Sequence, residues 1–132
     1  VVLDEPVTSA GAVATIAALE AADGVNVKPG RLGVAAVAVA RAARAAGLDV
    51  VCGGMLETGI GRAAALAVAA SPCCTLPTDL GPSASYFATD LTEPFTVDAR
   101  GLLPVPDGPG LGVTPDLDRV DEATVERVVL AR

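Results

Sequence analysis

Residues 26–31 read NVKPGR: the end of a short apolar run, then a lysine, then a Pro-Gly turn. The run VNV at 25–27 is a strand by composition, and Pro29 cannot extend its ladder, so the strand stops at Lys28. A polar side chain at the C-terminal end of a buried strand sits where a β/α barrel carries its active site. Lys28, flanked by Val27 and Pro29 in a lysine-poor chain, could be partly desolvated and so suited to general base work. The plainer alternative is a lysine that snorkels to solvent from a strand end.

The same grammar of apolar run, polar turn and alanine-rich helix occurs on both sides of this stretch. Upstream, VVL at 1–3 leads through a turn at 4–9 into a predicted helix over 10–22, with Thr8 or Ser9 as its N-cap and Gly24 free to take the left-handed C-terminal position. The stretch itself continues into a helix reaching about Ala46 and closed by Gly47. Downstream, DVV at 49–51, the turn CGGMLETG and a helix over 60–70 repeat the unit, and CTLPTDL at 74–80 reads as a fourth strand. Repeated βα units imply a parallel sheet. Asp4, Lys28, Glu57 and Asp79 each close a strand in this reading, at intervals close to one barrel unit. The expected fold is therefore α/β, a half of a TIM-type barrel with about four strands over residues 1–80.

Residues 81–132 differ in character. Gly, Pro, Asp and Thr dominate, and LPVPDGPGLGV at 103–113 cannot be helical, so this is an extended tail, with a short strand expected over 125–130. The opening VVLDEP starts inside an apolar run, and the chain is expected to be a fragment.

Composition excludes several classes of function. The chain has 132 residues, 52% of them hydrophobic, which supports a core rather than disorder. A net charge of -7 without any basic cluster argues against nucleic acid and anionic membranes as partners. No apolar run approaches the length of a membrane span, and a cytoplasmic location is expected. Cys52, Cys73 and Cys74 are odd in number and lack metal spacing, so they are expected to be reduced, mostly buried thiols.

Other residues could carry chemistry. Asp4 and Glu5 in LDEP place carboxylates at a strand end, where a divalent cation can be bound through hard oxygens, although a turn-capping Asp4 and a solvated Glu5 are the commoner reading of such a motif alone. Gly53 and Gly54 let a ligand approach the backbone or simply make a tight turn, while Met55 adds an apolar surface and Glu57 a carboxylate at the same rim. TGIGR at 58–62 opens a helix without the full phosphate-loop pattern. Asp79 could orient a substrate or cap the turn before Gly81-Pro82.

The ordered series LDEP, NVKPGRLG, CGGMLETGIGRAA, TLPTD, YFATDLTEPF and LPVPDGPGLGVTPD over residues 3–116 resembles the C-terminal part of an enolase-superfamily barrel. Within its muconate cycloisomerase-like subgroup, the series is most similar to the branch of o-succinylbenzoate synthase and N-acylamino acid racemase. The resemblance implies strands five to eight of the barrel and a tail returning toward a capping domain. It implies that Asp4 is one of three carboxylate ligands to Mg2+ and that Lys28 is an acid/base lysine facing a second lysine outside this chain. Gly53, Gly54 and Met55 resemble residues lining the substrate pocket, Glu57 matches a carboxylate near the lysine, and Asp79 stands in the eighth-strand loop. Val34, in place of a second glycine after RLG, and CCTLPTDLGPSAS depart from the usual pattern.

The implied function is a Mg2+-dependent syn dehydration, the o-succinylbenzoate synthase step of menaquinone biosynthesis. Its substrate is a small carboxylate, and the full-length protein is expected to be a homo-oligomer. N-succinylamino acid racemisation is the alternative. Two further readings stand beside these: a non-catalytic half-barrel that needs a partner, and a barrel aldolase in which Lys28 forms a Schiff base.

Overall fold

A computed structural model describes residues 1–130. The elements are β1 (Val2–Leu3), α1 (Ala10–Ala18), β2 (Gly24–Val27), α2 (Pro29–Leu32), a 3-10 turn (Gly33–Ala35), α3 (Ala36–Ala45), β3 (Asp49–Cys52), α4 (Gly59–Ala69), a second 3-10 turn (Ser83–Ser85) and α5 (Leu117–Ala123). The three strands form one parallel sheet in chain order, with Leu3 opposite Val25 and Val27 opposite Cys52. Three successive βα steps thus form as expected, as a piece of barrel wall.

Strand alternation explains the two faces. Val25, Val27, Val50 and Cys52 share the face turned toward the helices, where all four are completely buried with Val13, Ile16, Val39, Ala40 and Ala43. Asp4, Asn26, Lys28 and Gly53 belong to the opposite set, the side that faces the lumen when such a wall closes. The alanines of α3 let it approach the sheet closely, and Ala40 and Ala43 retain no exposed surface.

Helix ends follow local chemistry, with one correction. Ser9 is the N-cap of α1, its hydroxyl accepting the Ala12 amide at 3.1 Å. Ser9→Ala should therefore lower stability by about 1 kcal/mol, measurable by urea unfolding. α1 ends at Ala18, short of the expected residue 22, because Glu20 takes the left-handed conformation at φ 48°. The Ala21 amide then reaches the Ile16 carbonyl and the Glu20 amide that of Ala17, which closes the helix as a Schellman motif. Gly24 is consequently no helix cap. It is a strand residue whose missing side chain admits Asp49, since a Cβ there would lie 2.9 Å from the Asp49 carbonyl oxygen. Gly47, at φ 81°, closes α3 as expected.

The fourth strand does not form. The Thr75 and Leu76 amides both reach the Val50 carbonyl, and the Thr75 hydroxyl accepts the Val50 amide, so the segment lies beside β3 with its bonds bunched at one residue instead of spaced along a ladder. Pro77 removes the next donor, and the Thr78 hydroxyl bonds the Cys52 carbonyl in place of a ladder. Residues 125–130 also form no strand and are exposed, with no neighbouring edge among the described residues to take their hydrogen bonds.

The tail folds back onto α4. Leu80 and Phe95 are buried against Ala63, Ala65 and Leu66, and Leu103 and Val113 cover them. Asp90 receives the Gly59 amide on both carboxylate oxygens, at 2.8 and 2.9 Å, and so caps α4 from a distance of 31 residues in sequence. Cys52 is buried and Cys73 and Cys74 are half-buried, all three as free thiols. Burial pushes the Cys52 thiol up to about 12. Among the described residues, no helix is long and apolar enough to cross a membrane.

Candidate active site

The C-terminal ends of β1, β2 and β3 converge on Asp4. Its carboxylate accepts the Lys28 ammonium at 2.6 Å and the Asn26 amide at 3.3 Å on one oxygen, while the Arg31 guanidinium binds the other. Arg31 also donates to the Asp4 carbonyl at 3.2 Å. Burial pushes the Asp4 carboxyl up, but Lys28 and Arg31 outweigh it and hold the group below the ordinary aspartate range. Lys28 is only 16% exposed. It is therefore neither a snorkelling lysine nor an unpaired amine.

Local sequence explains the convergence. Lys28 is the N-cap of α2 with Pro29 in the first turn, and the Arg31 and Leu32 amides bond its carbonyl. That single turn returns Arg31, three residues on, to the side of Lys28. Arg31 was legible in NVKPGR but not its role: a second cation on the same carboxylate follows from the register of β1 with β2.

The second rim loop is residues 53–57. Gly53 lies against Asn26, where a Cβ would come within 2.5 Å of the amide oxygen, so the glycine is required for packing as well as for the turn. Met55 lies over Gly30, two residues past Lys28, with its Cγ 3.0 Å from the point a Cβ would occupy. Glu57 folds back to accept the Met55 amide at 2.6 Å and faces the buried Arg62 at 3.4 Å. Gly54 fits against the same guanidinium. Lys28, Asp4, Gly53, Gly54, Met55 and Glu57 thus gather at one rim. Asp79 stands beyond the end of β3, is exposed, and makes no hydrogen bond or ion pair among the described residues. Asn26 and Arg31 join the rim through Asp4 and Arg62 through Glu57, while Asp90 bonds the first amide of α4. Arg62 gave no sequence signal, because a charged residue on an alanine-rich helix is expected outside.

A divalent cation can be tested against these donors. Asp4 fits as one hard-oxygen ligand, and the Asn26 Oδ1 beside it is buried without a partner. Among the described residues, however, no three His, Cys, Asp or Glu side chains group closely enough to hold a metal. These two oxygens alone do not make a coordination sphere.

A family model described as Enolase C-terminal domain-like matches residues 1–120. The chain belongs to that family of the enolase superfamily. It is 48% identical over 128 residues to an N-succinylamino acid racemase of Amycolatopsis, covering 96% of this chain and 34% of that protein. It is 35% identical over 118 residues to the o-succinylbenzoate synthase of Bacillus subtilis, covering 88% of this chain and 32% of that protein. The crystal structure of an enolase-superfamily member from Listeria innocua superposes with a TM-score of 0.82 at 34% identity, covering 92% of this chain and 33% of that one. The chain spans about a third of the length of the curated relatives it matches.

Proposed function

We propose that the enzyme this chain belongs to is an o-succinylbenzoate synthase, in which Lys28 acts on the charge that develops when a proton leaves the carbon next to a substrate carboxylate. The observation that carries this reading is the 2.6 Å pair of Lys28 with Asp4, which fixes the lysine side chain at the strand ends. A fixed cation at that rim stabilises an enolate oxygen or the ring that bears it, and Gly53 and Gly54 let the substrate lie against the backbone. Mg2+, bound through Asp4 with ligands from outside this chain, would supply electrophilic stabilisation of the substrate carboxylate. With the proton taken by a base from outside this chain, collapse of the enolate and loss of hydroxide from the neighbouring carbon would complete a dehydration. A location in the cytoplasm and a tail that returns toward a capping domain belong to the same reading.

N-succinylamino acid racemisation is the second reading, favoured by the 48% identity to the Amycolatopsis racemase. It needs Lys28 to exchange a proton instead of only holding a charge. Assaying the enzyme with Mg2+ against both the cyclohexadiene precursor and N-succinylamino acids separates the two. Turnover of the first is the expected result; racemisation alone moves the assignment to the second reading, and neither activity removes both.

A further inference from the structure

Arg62 takes no part in the chemistry above, yet it is the largest fully buried side chain among the described residues, 1% exposed. Its Nη2 faces Glu57 Oε2 at 3.4 Å, while its Nε and Nη1 and the other Glu57 oxygen are buried without partners. A buried ion pair completed this poorly adds little stability, because desolvating two charges offsets most of their attraction. What the pair does is hold the rim loop in place. Glu57 Oε2 also accepts the Met55 amide at 2.6 Å, so the carboxylate that Arg62 backs is the one that closes the loop on itself. Gly54 leaves room for the guanidinium: a Cβ there would stand 2.7 Å from Nη1. Met55, held at its amide, lays its side chain over Gly30 in the turn that follows Lys28.

We propose that Arg62 is a positioning residue for substrate fit: through Glu57 it fixes Met55 over the turn that follows Lys28, governing which acyl or side-chain group the rim accepts rather than the proton step. This deepens the function proposed above, and only its kinetic consequence rests on that reading.

Met55 is the only methionine of these 132 residues, so 15N-methionine labelling of the enzyme, with the Met55 signal assigned by its loss in Met55→Leu, reports on the loop directly. Arg62→Met should move that signal and speed its exchange with solvent by about tenfold or more, with Arg62→Lys restoring part of the protection. Gly54→Ala keeps both charges but displaces the guanidinium, and should do the same, which covers a failure of Arg62→Met to fold. In the enzyme, Arg62→Lys should raise KM by about tenfold while kcat changes less than threefold. An unmoved Met55 amide in Gly54→Ala and in Arg62→Lys overturns the proposal, as does a fall in kcat at unchanged KM. An inactive wild-type enzyme would count against the proposed function, and the amide signal would still decide the role of Arg62.

Discussion

Lys28→Ala is expected to lower kcat/KM of the enzyme by a factor on the order of 10³, in line with the loss of a positioned acid/base or charge-stabilising group. Lys28 is the only lysine among these 132 residues, so none of them supplies a replacement ammonium. Stability should change little, because the Asp4 carboxylate keeps Arg31 and Asn26 as partners. The comparison with Lys28→Arg is informative. Arginine keeps the cation but exchanges protons poorly, so dehydration should survive in part while racemisation is lost. Steady-state kinetics on both substrates, together with thermal melts, test this. Full activity in Lys28→Ala would remove the lysine from the site.

Asp90→Ala should produce the largest loss of stability among the substitutions considered, about 2 kcal/mol, because it removes a helix cap and strands the buried Gly59 amide. Asp90 is 5% exposed and ties three parts of the chain together. Its side chain holds the start of α4, its carbonyl accepts Arg119 at 2.9 Å, and Thr92 beside it seals Gly59 so tightly that no side chain fits there. Burial raises the Asp90 carboxyl, but Ser83, the Gly59 and Leu91 amides and Arg119 outweigh burial and hold it below its ordinary value of 3.8. A depressed folded-state pKa fixes the sign. The contribution is fully present above about pH 4 and is lost as pH falls through the lower folded-state value. Urea melts of the wild type and Asp90→Ala should therefore differ at neutral pH and converge in acid. A difference that persists undiminished below pH 3 would contradict the electrostatic account.

The two substitutions probe different ends of one arrangement. Lys28 acts at the ends of β1 and β2, where strand register places it on Asp4. Asp90 acts from the tail, on the helix whose first turn follows the loop 53–57. A tail substitution can thus disturb the rim without touching it.

What sequence alone determined was local. Alternating apolar residues at 25, 27, 50 and 52 set the buried face of the sheet, and the same alternation puts Asp4, Lys28 and Gly53 on the other face, which makes these rim residues legible in the order of amino acids. Ser9 and Gly47 marked helix ends because capping depends on residues only a few positions apart. Tertiary structure decided what depends on distant partners. Gly24 was a plausible helix cap until Asp49 of the neighbouring strand claimed the space, and CTLPTDL had strand composition but lies beside β3 without a ladder, Pro77 lacking a donor and the Thr78 hydroxyl bonding the Cys52 carbonyl. The second cation on Asp4, the burial of Arg62 beneath the rim and the capping of α4 by Asp90 arise from residues 27, 5 and 31 positions from their partners. Even the shortest of these depended on burial, which no periodicity in an alanine-rich helix specifies. A residue's type announces which bonds it can make, and only the folded chain chooses the partner.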